Sequence, residues 1–230
     1  MSLYDEALAA FRHGDNERAR ELSEELRSSG REVDGLCMLA RVALREGDAE
    51  RTRELAEQAQ ETARALGDRD AERMPIHLRA AAARIAGDYA LACDLYLESI
   101  ELSRECAPSF VAAELHNLAY VELHDDRLER AKELFEQSLQ VARERELDSL
   151  LPYLVVDKGV VAAEEGSWEQ SARLLAAGAA SFEARGEVLD PDDQGELDRA
   201  MEKVFSELEP ARIDELWAEG VALSIDEALA

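Results

Sequence analysis

The sequence predicts an all-α protein, a solenoid of about five helix pairs followed by C-terminal capping helices. Turn signals recur at regular intervals over most of the chain, and amphipathic helical periodicity flanks each of them. The apolar content is drawn mainly from alanine and leucine, with aromatics at only 5% of the 230 residues. Small aliphatic side chains let helices approach closely, which suits a helix stack better than a β-sandwich.

The five turns are Gly14-Asp15-Asn16, Gly47-Asp48-Ala49, Gly87-Asp88-Tyr89, Asp126-Arg127-Leu128 and Gly166-Ser167-Trp168. Their first residues lie 33, 40, 39 and 40 apart. Glycine takes the left-handed conformation that a helix-ending turn demands, and Asp126 is among the residue types that follow it there. The residue after the glycine is Asp or Ser, suited to cap the next helix. Before Gly47, residues Leu36, Leu39, Ala40, Ala43 and Leu44 repeat at i, i+3, i+4; after Asp126, Leu128, Ala131, Leu134, Phe135 and Leu139 do the same.

A small residue stands five positions after each turn start (Ala19, Thr52, Ala92, Ala131, Ser171) and another seven before it (Ala7, Ala40, Ala80, Ala119, Gly159). These are the crossing points of each pair, where bulk is excluded. The pattern resembles the tetratricopeptide repeat over residues 3–185, and the domain division reads as 1–185 for the repeats and 186–230 for a helical cap continuous with them. The usual period is about 34 residues; the longer one here predicts longer second helices and looser connections. Pro75 belongs in a first helical turn, which places the start of the third pair near Arg73 rather than Asp68.

The C-terminal residues carry a second resemblance. Ala172-Arg173-Leu174-Leu175-Ala176-Ala177 and, later, Trp217-Ala218-Glu219-Gly220 with Ser224-Ile225-Asp226-Glu227-Ala228 are similar to the closing segment of large ATP-binding transcriptional regulators with a LuxR-type output domain and of related signalling ATPases. That resemblance implies the sensor arm of a bacterial regulator. Locally, Asp190-Pro191 marks a helix start, Gly220 a helix end, and Ser224 with Glu227 a capping box. These helices read as the terminal cap that a repeat array needs.

The tetratricopeptide resemblance also implies which residues a ligand would meet on the first helix of each pair. Carried onto this sequence, the concave face holds Asp34, Cys37, Arg41 and Arg45, then His77 and Arg84, then His116, Tyr120 and His124, then Tyr153, with Asn117 and Asp157 at its edge. An anionic or C-terminal peptide group fits such a mixture of arginine, histidine and tyrosine. Of the set with which some members clamp a carboxylate, only Asn117 matches, so that clamp is not expected. Cys37, His77 and His116 form a column, but successive repeats are about 8–10 Å apart, too far for one zinc ion to collect all three.

Acidic residues outnumber basic ones 52 to 26, a net charge of −26. Such a field repels phosphate backbones and argues against direct nucleic-acid binding. No segment has the length and apolarity of a membrane span or a signal peptide, and three scattered cysteines form no disulfide framework, so a cytoplasmic location is expected. Cys93 and Cys106 are expected to be buried, and Trp168 and Trp217 to anchor packing. The chain contains no phosphate-binding loop, nucleophile motif or metal box, so no catalytic residue, metal or cofactor is expected. The expected function is a non-catalytic regulatory module that binds a protein or peptide on its concave face. The alternative is a small-molecule sensor with an enclosed pocket near Ala80 to Ala83. Self-association into a homodimer is compatible with both.

Overall fold

The computed structural model describes all residues, 1–230, and contains only helices and turns. Five antiparallel pairs stack in order: α1 (Leu3–Arg12) with α2 (Asn16–Ser28), α3 (Glu32–Arg45) with α4 (Ala49–Leu66), α5 (Arg69–Ile85) with α6 (Tyr89–Cys106), α7 (Val111–His124) with α8 (Leu128–Glu144), and α9 (Leu151–Glu164) with α10 (Trp168–Arg185). After them come α11 (Pro191–Glu207), α12 (Pro210–Val221) and α13 (Ile225–Leu229). No helix is long and apolar enough to cross a membrane.

The turn chemistry acts as its residues dictate. Gly14, Gly47, Gly87 and Gly166 all have φ between 75° and 77°, and Asp126 takes the same region at 57°. The side chains of Asp15, Asp48 and Asp88 accept from the backbone N–H of Arg18, Arg51 and Leu91; Ser167 makes no such cap. At the pair crossings Ala7, Ala19, Ala40, Ala80, Ala92, Ala119 and Ala131 have no exposed surface. At Gly159 the contact is closer still, since a Cβ there would stand 2.7 Å from Leu175.

The extra length sits where the period places it. Helices α4, α6 and α10 have 18 residues and α8 has 17, against 14 in α3, α7 and α9; the second helix α2, with 13, and the first helix α5, with 17, do not follow this division. The α6–α7 link is lengthened by a 3-10 turn, Pro108–Phe110, and the α8–α9 link by residues 145–150. The third pair departs from expectation. Gly67, at φ 69°, closes α4, and Asp68 caps the Ala71 N–H at 3.1 Å, so α5 begins at Arg69. Pro75 therefore lies inside the helix, buried, and cannot donate to the carbonyl one turn before it. The capped start prevails over the proline signal.

Packing follows the stack. One apolar cluster joins α1 and α2 to Met38 and Val42 of α3, a second joins α3 and α4 to Leu78 of α5, and the largest runs from α5 to α12. Trp168 and Trp217 are half-buried against this last cluster. Cys106, the last residue of α6, is exposed, and Cys93, near the start of the same helix, is half-buried, contrary to expectation.

The C-terminal helices divide their tasks. Helix α12 packs on α10 beyond the last pair. Gly220 lies within α12 rather than ending it, and its missing side chain allows the contact: a Cβ there would be 2.2 Å from the Arg173 carbonyl oxygen. Helix α13 opens with the Ser224–Glu227 capping box and buries Ala228 and Leu229 against α9 and α10. Helix α11 instead turns inward across the concave face. Its lead-in passes the end of α1, where Val188 N–H donates to the Arg12 carbonyl at 2.9 Å and His13 Nδ1 donates to the Gly186 carbonyl at 2.7 Å. The last pair thus touches the first helix.

Candidate functional site on the concave face

The first helices of the pairs bring a row of cations to the inner surface, and the acidic start of α11 meets them. Arg45 of α3 pairs with Asp190 at 2.8 Å, its guanidinium 3.5 Å over the Phe11 ring, and also donates to the Phe11 carbonyl. Arg84 of α5 reaches Asp192 at 2.8 Å and Asp193 at 3.3 Å, and donates to Asn117 Oδ1 at 2.7 Å. His124 of α7 holds Glu196 at 2.9 Å while stacking on Tyr89.

At the centre, His116 is bracketed by carboxylates, with Nδ1 2.7 Å from Asp157 and Nε2 3.2 Å from Asp193. Both ring nitrogens face acceptors, so the imidazolium is the form that satisfies them. Burial alone would lower the His116 pKa; Asp157 and Asp193 outweigh it and raise it to about 10. Tyr120 donates to the other oxygen of Asp157 at 2.7 Å. Burial raises the Asp157 carboxyl, against the pull of His116 and Tyr120. Burial likewise raises Asp192, to about 6, despite Arg84. For Asp193, burial is overcome by His116 and Arg84, and its carboxyl is lowered.

The remaining predicted residues divide in two. His77 is tied to the fully buried Glu114 at 3.0 Å, with Ser99 donating to the same carboxylate, and Tyr153 packs edge-on against Phe182 and His116. Arg41 stands apart, half-buried, with the Met74 sulfur at 3.8 Å as its one polar partner. The Cys37–His77–His116 column does not converge: both histidines have carboxylate partners, and burial pushes the Cys37 thiol up to about 12. The run Ala80 to Ala83 is buried, and the cavity that Ala81 lines holds only about 40 Å³.

Comparison with solved structures identifies the architecture. A Rap protein complexed with Competence and Sporulation Factor superposes with a TM-score of 0.67 over 93% of this chain, at 14% identity. BtubC (BKLC) from P. vanneervenii gives a TM-score of 0.56 over 93% of this chain and 92% of its own, at 17% identity. Nearly identical TPR-like repeats of a kinesin light chain from Podosopora anserina give 0.52 over 89% of this chain and 96% of theirs, at 20% identity. The fold is a tetratricopeptide-like solenoid. The chain spans 61% of the length of the Rap protein. No protein-family model matches the sequence, and no curated protein sequence does.

On this solenoid Arg45, Arg84, His116, Tyr120, His124 and Tyr153 lie together along the groove, while Arg73 of α5, Glu114 of α7 and the carboxylates of α11 fall outside the repeat offsets. Asp190, Asp192, Asp193 and Glu196 have the pattern of an acidic helix start, and Glu114 and Arg73 carry no motif. One signal was present. Groove cations that sit side by side in a folded protein require counter-charges, and Glu196 stands one turn from both Asp192 and Asp193, at i+4 and i+3.

Proposed function

We propose that this solenoid is a non-catalytic regulatory module whose concave face receives a protein or peptide segment, in bacterial transcriptional or signalling control. The observation that carries the reading is the seat of α11. The groove holds an acidic helix through Arg45, Arg84, His116 and His124, which is recognition of a polypeptide segment by side-chain pairing. The Rap protein of the same fold, complexed with Competence and Sporulation Factor, supports it by analogy, and the Trp217–Gly220 and Ser224–Ala228 motifs supply the regulator context.

Photo-cross-linking in the native host tests the proposal. A cross-linking residue replaces Ser109 or Val188, exposed on the concave side, or Glu54 on the outside. A discrete partner is expected from the first two positions and not from the third. Capture only from the outer position, or none from the groove, would overturn the reading.

A small-molecule effector is the second reading. It is favoured by a cavity of about 280 Å³ beside Arg41, Phe110 and Tyr153, close to the lower size of ligand pockets. A metabolite library screened by thermal shift separates it from the first, since a ligand in that cavity raises the unfolding midpoint without any protein partner.

A further inference from the structure

The acidic lead-in of α11 neutralises only part of the cationic row. Asp190 takes Arg45, and Asp192 and Asp193 take Arg84. Beyond Asp190 the row continues to Arg41 and Arg73, and neither has a carboxylate within hydrogen-bonding distance. The nearest to Arg73 is Asp70 at 3.9 Å, and Arg41 has the Met74 sulfur as its one hydrogen-bonding partner, with its guanidinium 5.6 Å from the Phe11 ring centre. Arg73 is 9% exposed and its guanidinium lies 3.5 Å over the Phe110 ring. Its Nε and Nη1 are buried and no protein acceptor reaches them. A buried guanidinium without acceptors is unfavourable, and burial pushes its pKa down. With 52 carboxylates in the chain, leaving these two guanidinium groups unmatched is a feature of the site rather than a shortage of anions.

Both arginines border a cleft. A cavity of about 340 Å³ holds Arg73 and a second of about 280 Å³ holds Arg41, and Phe110 forms a wall of each. Phe11 and Tyr153 extend the apolar lining of the second. Asp68 and Asp70 rim the first, together with Glu32 and Asp34, which face Arg27 and Arg31. Those rim carboxylates repel any anion brought against them and accept readily from the backbone N–H groups of a peptide, so an anionic side chain is favoured only on the guanidinium side of the cleft. The neighbouring half of the same face already holds Leu189-Asp190-Pro191-Asp192-Asp193, a segment that combines carboxylates with an apolar side chain.

We infer that this cleft docks an acidic peptide segment of a partner protein, its carboxylates pairing with Arg41 and Arg73 and an apolar side chain resting on Phe110. The inference rests on the proposal that the concave face receives a polypeptide, and adds the half of the groove and the chemistry of the occupant.

The test uses fluorescence anisotropy on the full chain. The probe is a labelled pool of short peptides rich in Asp and Glu with one central Phe or Leu; its control carries Asn and Gln instead. The acidic pool is expected to bind at least about tenfold more tightly, with affinity falling as salt rises. Arg41→Gln and Arg73→Gln should each weaken it by about tenfold. Arg41 is half-buried and unpaired, so Arg41→Gln keeps the fold and probes the cleft even where Arg73→Gln does not fold. Equal binding of the two pools, no binding of the acidic pool, or binding indifferent to Arg41→Gln would each overturn the inference. Repeating the Ser109 cross-link in the Arg41→Gln chain separates the two levels. A partner still captured there sinks the cleft assignment and leaves the groove reading standing; no partner captured even by the unsubstituted groove sinks both.

Discussion

Arg84 of α5 and Asp192 of α11 hold each other at 2.8 Å with side chains only 2% and 7% exposed. Asp193, 3.3 Å away, and Asn117 complete the shell of the guanidinium. A charge this deep is favourable only while its partners remain. Arg84→Met, which keeps the bulk and removes the charge, should cost about 3–5 kcal/mol, because it strands two carboxylates. Urea unfolding measures the loss, and hydrogen exchange should show α11 opening ahead of the pairs. A loss below about 1 kcal/mol would mean that α11 is held by its apolar side alone.

The two aspartates beside Arg84 should respond unequally to neutralisation. The Asp192 carboxyl is raised to about 6, above the ordinary 3.8, so its contribution is present at low pH and lost as pH rises through 6. The Asp193 carboxyl is lowered, so its contribution is present above 3.8 and lost as pH falls. At pH 8, Asp193→Asn, which removes the acceptor shared by Arg84 and His116, should cost more than Asp192→Asn, which leaves Arg84 with Asp193 and Asn117. Unfolding curves of the two variants check the order.

His116 predicts an alkaline limit. Its pKa in the fold, about 10, exceeds the 6.5 of an unperturbed histidine. Its contribution is therefore complete below about pH 6.5 and disappears as pH rises through 10, each tenfold gain in proton affinity being worth about 1.4 kcal/mol. The stability gap between the unsubstituted chain and His116→Gln, followed from pH 6 to 10, should narrow steadily. A gap that does not change with pH would show that His116 is not charged in the fold.

Two helical glycines should respond in opposite ways to alanine. Gly220→Ala drives a Cβ to 2.2 Å from the Arg173 carbonyl oxygen and 2.7 Å from the Ala176 Cβ, and should cost about 1–3 kcal/mol by lifting α12 off α10. Gly195→Ala meets only the flexible end of Arg199, at 3.7 Å, and should stabilise α11 by up to about 1 kcal/mol. Thermal midpoints of the two variants decide it.

The cysteines offer a direct readout of opening. Exposed Cys106 should react with a thiol reagent at once, whereas Cys37, buried with its thiol pushed up to about 12, should react only on unfolding. Mass-resolved labelling in a denaturant series would report that difference, and rapid labelling of Cys37 in the native chain would contradict the packing of α3.

Much of this architecture is legible in the sequence because short-range chemistry specifies it. Gly14, Gly47, Gly87 and Gly166 end helices for a local reason, and Ala40 or Ala119 is small because another helix crosses there. Pro75 misleads because a capped start, Gly67 with Asp68, prevails over a backbone preference. The path of α11 is hidden for a different reason. Asp192 and Asp193 after Pro191 have all the marks of a solvated first turn, and only their distant partners, Arg84 and His116, reveal that they face inward. Candidate positions on the first helices can be read by offset from each turn; their occupants cannot.

The hydrogen bond from Val188 to Arg12, with His13 on the Gly186 carbonyl, bears on how the molecule comes apart. An open array can fray from either tip, each unit sensing only its neighbours. Here the tips are fastened together, so loosening the opening helix also frees the strap that fills the interior, and loss at one end is felt at the other. The chain should therefore melt as one cooperative body, and an effector that undoes this clasp would release curvature and interior together.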